Sequence, residues 1–474
     1  VYKRQEIMRN SILSILFVFG FYGIQAQVQQ IAKVISFDDY MSIVREHHPV
    51  AKQADIRLEQ GDATVLQSRG NFDPKLFNDL SQKYFDDKDY YSLIDAGVKI
   101  PTWFGIEVKG GYEQNQGSFL NPENNTPNNG LWYAGVTLPV GAGLFIDERR
   151  AELRKAQLFQ EMTISERQLM VNELLYNSGS AYWEWFQAYN VLAVYEEAVV
   201  LANQRYQAVI QNAVLGDQPF MDTVEAGIQL QNRQLALRQA QLDYANSTAM
   251  LEVYLWADGT VPLELEDNAA PEVNENVIGR DVDAFYKAQR DTLLMQHPKL
   301  RQYQLKLDQI AIDQRLKREQ LKPTLNLKYN ALSEAINDSP LEEYNSNNYN
   351  WGLEFSMPIL LRKERGAVRL ANFKMQEAEL DYTNQIAEIL FKINEALNDW
   401  EATKDQLDLY TRTVVDYERL LDGERQLFNA GESSLFMVNS RELGFIGAQI
   451  KQIEILTKNH KARLKTTYSF GLLE

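Results

Sequence analysis

The sequence has no cysteine among its 474 residues, and it has no excess of positive charge. The lack of cysteine excludes a catalytic thiol, a thiolate metal site, a disulfide framework and a lipid-modified amino-terminal cysteine. There are 48 lysine and arginine residues against 65 aspartate and glutamate residues, so the formal net charge is −17. This balance argues against nucleic-acid binding, because phosphates require a clustered basic surface.

Long apolar runs are missing as well. The most apolar stretch, residues 12–19, is too short to span a bilayer comfortably, and no run of about 18 apolar residues follows it. Basic residues precede this stretch and the small-residue segment 23–26 follows it, which predicts a signal peptide over residues 1–26. Met8 is an alternative start that would make residues 1–7 an extension, and an uncleaved anchor is the alternative to a signal. A mature protein that crosses a membrane must then do so as β-strands.

Motifs of catalysis and metal binding are also absent. The sequence contains no His-Glu-x-x-His pattern, Walker loop or Gly-x-Ser-x-Gly elbow. Its four histidines are His47, His48, His297 and His460, and the two His-Pro pairs are expected to shape helices rather than bind metal. Gly141-Ala142-Gly143 is compatible with a phosphate cradle, although a flexible joint before a long helix is favoured. We therefore expect no enzyme, no cofactor and no metal site.

The chain contains an internal repeat, which is the first feature to look for in a sequence of this length. The matched residues are His48 with His297 and Pro74 with Pro323 at an offset of 249, then Trp185 with Trp400 and Gly216 with Gly431 at an offset of 215. The offset shrinks because the first half has extra residues between its prolines. A series of matches in the same order indicates a duplicated unit.

Each half has the same order of predicted elements. The first repeat, 27–257, has a helix at 37–70, strands at about 75–139, a long helix at 147–214, a hairpin tip at 215–222 and a return helix at 220–256. The second repeat, 281–474, has a helix at 281–320, strands at about 324–358, a long helix at 362–429, a tip at 430–437 and a return helix at 434–469. Residues 258–280 are rich in acidic and amide residues with prolines and glycines, which predicts a linker.

The two long helical segments are too long for a compact globular domain. At a rise of about 1.5 Å per residue, each reaches about 100 Å. The shorter helices, stacked end to end, span a similar distance and would form with them a barrel of antiparallel helices. Apolar residues recur at helical spacing on one face, as at Val171, Leu174, Leu175 and Trp185. The alternative interpretation is an antiparallel coiled-coil scaffold that does not conduct.

The strand segments alternate between apolar and polar residues. Apolar positions are Leu325, Leu327 and Tyr329, then Trp351, Leu353 and Phe355, with Ile106 and Val108 and then Trp132, Val136 and Leu138 in the first half. Alternation over roughly ten residues is typical of transmembrane barrel strands, and a half-buried soluble sheet gives the same pattern. Tyrosine and tryptophan at the strand ends, with polar loops at 120–130 and 337–348, favour the membrane.

Two strands in each half give four per chain, too few to close a barrel with an aqueous bore. Three chains would supply twelve strands. Residues 75–114 exceed the length of one strand, so an additional hairpin in the first half remains open.

The duplicated helix–hairpin–helix plan resembles the TolC-like outer-membrane efflux proteins over residues 37–473. Its most specific features are the helix-to-strand prolines and the two glycine-marked tips. The prolines are Pro74, Pro139, Pro323 and Pro358. The resemblance implies a mainly α fold, in which a long antiparallel helical barrel continues into a twelve-stranded transmembrane β-barrel shared by a homotrimer.

The resemblance also implies a function and partners. The chain would be the outer-membrane channel of a tripartite efflux or type I secretion system, with a large periplasmic extension in a Gram-negative envelope. It would passively conduct substrates that an inner-membrane pump delivers through a periplasmic adaptor. A non-conducting periplasmic scaffold is the alternative, and an exported hydrolase would need a pocket for which the sequence offers no residues.

The hairpin tips are the predicted adaptor-docking sites. They comprise Leu215, Gly216, Asp217 and Phe220 in the first repeat and Gly431, Glu432, Leu435 and Phe436 in the second. In relatives, carboxylates on the second tip surround the closed periplasmic entrance, but Met437 and Ser440 occupy those places here. Our hypothesis is that Asp222 and Glu225 on the first tip line the entrance instead. Ordinary solvated helix carboxylates are the alternative.

Overall fold

The computed structural model describes residues 29–31, 34–258, 260–266, 269–272, 282–334 and 345–473. The predicted signal peptide 1–26 lies outside the described residues. So do residues 273–280 of the predicted linker and most of the predicted loop 337–348.

Eight helices account for most of the described chain. They are α1 (Phe37–His47), α2 (Pro49–Arg69), α3 (Glu148–Leu215), α4 (Phe220–Glu252), α5 (Val282–Met295), α6 (Pro298–Glu319), α7 (Arg362–Asn429) and α8 (Leu435–Ser469). The long helices α3 and α7 have 68 residues each, which corresponds to about 100 Å.

The two His-Pro pairs each start a helix. The imidazole Nδ1 of His48 accepts a hydrogen bond from the Val50 amide at 3.1 Å, and that of His297 accepts one from Lys299 at 3.1 Å. The following proline occupies the first helical position, where its missing N–H costs nothing. Each pair therefore separates a short helix from the next one, α1 from α2 and α5 from α6.

The shorter helices lie along the long ones. Helix α2 packs on the first half of α3, where Arg167 pairs with Asp55 at 2.7 Å, and α4 packs on the second half, where Trp185 donates to Thr248 at 3.1 Å. In the second repeat α6 and α8 pack on α7, and both also contact α3. The helices thus form one layer in the order α2, α3, α6 and α7, with α4 and α8 beside the tip-proximal halves of the long helices.

The largest core lies near the middle of the long helices. Trp185, Tyr182 and Tyr40 are fully buried there, and a second core surrounds Trp400. Two small sheets flank the first core: β1 (Gln29–Ile31) with β8 (Val261–Leu265) and β7 (Trp256–Ala257), and β2 (Val34–Ile35) with β9 (Ala270–Pro271). In both, a strand that precedes α1 runs parallel to a strand between the repeats, which ties the start of the first repeat to its end.

One end of the molecule is a six-stranded antiparallel sheet. Its strands are β3 (Lys75–Phe85), β4 (Lys88–Pro101), β5 (Glu107–Gln116), β6 (Leu131–Pro139), β10 (Thr324–Ser333) and β11 (Tyr349–Ser356). The order is β11-β10-β6-β5-β4-β3. The first repeat contributes four strands and the second two, so the count of four strands per chain is wrong and the additional hairpin in the first half is present.

Among the described residues, none of the helices is both long enough and apolar enough to traverse a bilayer.

Candidate functional site: a two-faced sheet and two hairpin tips

The register of the six-stranded sheet sorts its side chains onto two faces, because residues directly opposite each other share a face and neighbours along a strand alternate. Leu80 pairs with Ile94, Val108 with Val136, and Leu327 with Leu353. We call this side the apolar face; it also carries Leu76, Val98, Tyr112, Trp132, Leu325, Tyr329, Trp351 and Phe355. Asp79 pairs with Asp95, Lys99 with Lys109, and Asn326 with Glu354, which places them on the polar face.

The apolar face is uncovered in the subunit. Leu76 is 86% exposed, Trp351 62% and Phe355 65%. A few polar side chains, such as Asn78 and Gln82, interrupt the face in β3. A largely apolar face that is exposed across six strands suits contact with lipid.

Charged groups on the polar face pair with one another. Asp95 accepts hydrogen bonds from Lys109 at 3.2 Å and from the Tyr133 hydroxyl at 2.6 Å. The Lys109 ammonium also lies 4.7 Å from the ring centroids of Phe77 and Tyr133. In the second repeat Lys328 pairs with Glu354 at 2.8 Å. Such a surface is stable in contact with water, as in the lumen of a barrel.

Aromatic and large apolar side chains surround both ends of the sheet. At the end distant from the helices, Tyr90 stacks on Phe119 at 4.7 Å, and Tyr84, Phe85 and Tyr349 are at least half exposed. At the end where the strands join the helices, the exposed side chains are Trp103, Phe104, Phe145, Ile359 and Leu360. The eight residues of the shortest strand span about 26 Å, close to the height of an apolar barrel band flanked by aromatic residues.

The segment Gly141-Ala142-Gly143 is a joint between sheet and helix. The amides of Val140 and Ala142 donate to the carbonyls of Leu325 and Pro323, both at 2.8 Å. A Cβ atom on Gly141 would lie 2.1 Å from the Pro323 oxygen, so only glycine permits this approach. The two repeats are therefore joined where β6 leads into α3 and where α6 leads into β10.

The opposite end of the molecule carries the two helical hairpin tips. Gly216 (φ 84°) and Gly431 (φ 79°) adopt left-handed backbone conformations that terminate α3 and α7. Leu215, Phe220 and Phe436 are 74%, 78% and 65% exposed. Leu435 differs: it is 3% exposed and packs with Val209 and Ala226 of the first hairpin. It therefore contributes to the contact between hairpins rather than to the surface.

Charged and amide side chains connect the two hairpins just above the tips. Arg205 of α3 donates to Asn439 at 3.1 Å and forms an ion pair with Glu442, both on α8. Asn439 in turn donates to Glu225 at 3.2 Å. Glu442 is 4% exposed, so this pair is shielded from water. Of the two predicted entrance carboxylates, Glu225 thus belongs to this cluster, while Asp222 lies half-buried in the first turn of α4.

Arg205, Asn439 and Glu442 of this cluster are not among the residues predicted from the sequence. A signal for it exists, because Glu442 continues the helical spacing of the buried residues Leu435, Val438 and Ile446. Arg233, which is 7% exposed, likewise continues the spacing of Ala226 and Leu230 on α4. Burial lowers the pKa of Arg233, and nearby Glu442 opposes that shift. A charged residue at an apolar position of a helix therefore indicates a buried partner.

No group of three or more His, Asp or Glu side chains is arranged to hold a metal ion in the part of the chain that the structure describes. His48 and His297 act as helix caps.

Comparison with known proteins identifies a family match in the second repeat. Residues 290–464, which form most of the second repeat, match the family model described as outer membrane efflux protein. A comparison with curated proteins finds no significant match.

Several solved structures share the fold over nearly the whole chain. The Campylobacter jejuni CmeC outer membrane channel is 17% identical, with a TM-score of 0.63 over 92% of this chain and 86% of that chain. The outer membrane protein VceC of Vibrio cholerae is 13% identical, with a TM-score of 0.64 over 92% and 97%. The open state of the Neisseria gonorrhoeae MtrE outer membrane channel is 12% identical, with a TM-score of 0.65 over 92% and 89%. The resemblance predicted from the sequence is therefore confirmed: residues 290–464 carry the signature of the outer membrane efflux protein family, and the chain has the mostly helical fold of outer-membrane channels.

Proposed function

We propose that this protein is the outer-membrane channel of a tripartite efflux or type I secretion system. It would conduct substrates passively, after an inner-membrane pump has delivered them through a periplasmic adaptor. The observation that carries this proposal is the exposed apolar face of the sheet, which continues directly into helices of about 100 Å. A lipid-facing sheet joined to long helices suits a channel that is anchored in the outer membrane and extends through the periplasm.

The sheet requires copies of the chain to close. Among the described strands, β3 and β11 are each paired on one side only, so both present free backbone groups at the sheet edges. Pairing β3 of one subunit with β11 of the next satisfies these groups and closes a ring. With six strands per chain, a homotrimer supplies eighteen strands rather than the twelve expected from four per chain.

The test is to purify the full chain in detergent, reconstitute it and measure conductance in planar bilayers. We expect trimers in the outer-membrane fraction that dissociate on heating, steady ion conductance, and eighteen strands in a cryo-EM map. A monomer that stays in solution without detergent and conducts nothing would instead support the periplasmic scaffold. A conducting trimer with twelve strands would refute the six-strand contribution alone.

The tips are the proposed docking surface for the adaptor. Leu215, Phe220 and Phe436 are exposed there without an apolar neighbour to cover them, which favours an apolar partner. A photo-crosslinking residue at Phe436 should capture a periplasmic adaptor in cells. The same residue at Leu409, which is similarly exposed but distant from the tip, is the matched control. Equal capture at both positions would count against docking at the tips.

Asp222 and Glu225 are the proposed carboxylates of the periplasmic entrance. They lie near the first tip, whereas Met437 and Ser440 of the second tip offer no charge. The double variant Asp222→Asn with Glu225→Gln removes both charges, so we expect weaker block of the channel by multivalent cations. Asp243→Asn with Glu252→Gln, farther along the same helix, is the control. Unchanged conductance and block in the first variant would refute this role.

A further inference from the structure

The structure contains a cavity with an unusual surplus of positive charge, located where the sheet joins the helices. The cavity has a volume of about 390 Å³ and is lined by Arg154 of α3, by Arg315 and Arg318 of α6, and by Lys322. Glu319 is its only acidic lining residue. In a chain with a formal charge of −17, four cations around one small cavity stand out.

Most of this charge is not neutralised by the protein. Glu319 is already occupied, because it binds Lys322 at 2.7 Å and accepts the Phe145 amide at 3.3 Å. Within the ranges that the structure describes, the guanidinium groups of Arg154, Arg315 and Arg318 form no ion pair. These three side chains are exposed in the subunit, so their guanidinium N–H groups can donate to a bound anion.

The cavity contains no residue of the sheet and adjoins a second cavity that reaches the polar face. That second cavity reaches the polar face through Glu107, Thr137 and Asn326, and the two cavities share Ile146 and Glu319. The cationic residues Arg154, Arg315, Arg318 and Lys322 line the first cavity only.

An exposed aromatic residue completes the site. Phe145 lines the cavity, is 70% exposed, and has the Lys322 ammonium 4.6 Å from its ring centroid. Aromatic and basic side chains at the edge of an apolar surface are typical of the membrane–water interface, where rings contact acyl chains and cations contact headgroups. The cavity is also remote from the subunit edges, because α3 and α6 are the two inner helices of the layer.

We infer that this cavity binds the phosphate of an anionic phospholipid in the periplasmic leaflet, with Phe145 against the acyl chains. The site rests on the proposed outer-membrane placement. Its arginine guanidinium groups offer paired N–H donors to phosphate oxygens, and its volume is in the range of small-ligand pockets. Bound lipid would brace the joint between the sheet and the helices, because it bridges α3 and α6.

The test is lipid binding to the purified full-length protein in detergent, measured by native mass spectrometry. Phosphatidylglycerol should bind more tightly than phosphatidylcholine, and the triple variant Arg154→Gln, Arg315→Gln and Arg318→Gln should weaken phosphatidylglycerol binding at least tenfold. The matched control is Arg57→Gln, Arg238→Gln and Arg412→Gln, which removes the same charge from exposed helix positions elsewhere. Equal binding of the two lipids, or equal losses in both triple variants, would overturn the site.

Two further measurements are needed. One distinguishes lipid binding from binding of free phosphate, and the other distinguishes failure of this site from failure of the channel function. Phe145→Ala should weaken phosphatidylglycerol binding but leave competition by soluble glycerophosphate unchanged. Glycerophosphate that displaces the lipid at equal concentration would reassign the cavity to a soluble phosphate. Conductance in phosphatidylcholine bilayers should persist in the arginine variant. If the native protein does not conduct, the channel function is refuted. If it conducts but binds phosphatidylglycerol and phosphatidylcholine equally, only this site is refuted.

Discussion

The two halves of the chain have long helices of equal length but contribute different numbers of strands to the sheet. Helices α3 and α7 have 68 residues each, and the return helices α4 and α8 have 33 and 35. The first half nevertheless contributes four strands to the sheet and the second only two. Helices that pack side by side along about 100 Å must match in length, because shortening one of them leaves part of its neighbour uncovered. An antiparallel sheet accepts one more hairpin at no such cost, provided the hairpin keeps the alternation between faces.

The extra hairpin offers the largest test of this comparison. Deletion of residues 88–116, which form β4 and β5, leaves β3 free to pair with β6 in the antiparallel sense. We expect a sheet of four strands per chain and a trimeric barrel about two-thirds as wide, because barrel diameter grows roughly linearly with strand number. Cryo-EM gives the width, and single-channel conductance should fall. A barrel of unchanged width would show that the hairpin lies outside the wall.

The matched tryptophans test whether the two cores are equivalent. Trp185 is fully buried and its indole donates to Thr248, whereas Trp400 is 4% exposed and makes no such bond within the described chain. Trp185→Ala should cost about 3–5 kcal/mol, and Trp400→Ala should fall at the lower end of that range. Thermal unfolding followed by circular dichroism compares them. A greater loss of stability for Trp400→Ala than for Trp185→Ala would contradict this expectation.

The buried ion pair between hairpins exists once rather than twice. At the 215-residue offset of the repeat, Leu420 corresponds to Arg205 and Gly227 to Glu442, so the other half has no equivalent pair. Glu442→Gln leaves Arg205 and Arg233 without a counter-charge, which should destabilise the protein by about 3 kcal/mol. Glu454→Gln on the same helix removes an exposed pair with Lys451 and should have little effect. Similar effects of both substitutions on the urea midpoint would count against a buried pair.

The two His-Pro caps should respond differently to acid. Burial lowers the pKa of His297 from 6.5 to about 4, and Lys299 and Lys392 reinforce the shift. Burial also lowers the pKa of His48. Since the folded pKa lies below the unfolded value, the stabilisation is complete above pH 6.5 and is lost as pH falls towards 4. For His297 the loss approaches about 3 kcal/mol.

Asparagine at either position can cap the helix without titrating. His297→Asn should therefore flatten the decline of thermal stability between pH 6.5 and 4, and His48→Asn is the matched control with the smaller expected effect. Identical pH profiles of thermal stability for the native protein and His297→Asn would show that His297 does not cause the decline.

The accuracy of the sequence-based expectations varied between regions for physical reasons. The long helices expected at 147–214 and 362–429 are Glu148–Leu215 and Arg362–Asn429, because glycines stop them and a continuous helical pattern fills them. In β4 the residues Leu93, Ile94, Ala96, Gly97 and Val98 place small or apolar side chains on both faces, so the alternation that marks a strand is blurred. The tip residue Leu435 was expected on the surface, but it is buried because the first hairpin lies against it.

The sequence by itself determined the long helices, their duplication and the alternation of apolar and polar residues in most strands. These features follow from local periodicity and from the positions of glycine and proline. Only the tertiary structure decided which strands pair, that Glu442 meets Arg205, and that Arg154 joins the cations of α6. Those relations connect residues far apart in the chain, and no local pattern records the packing that brings them together.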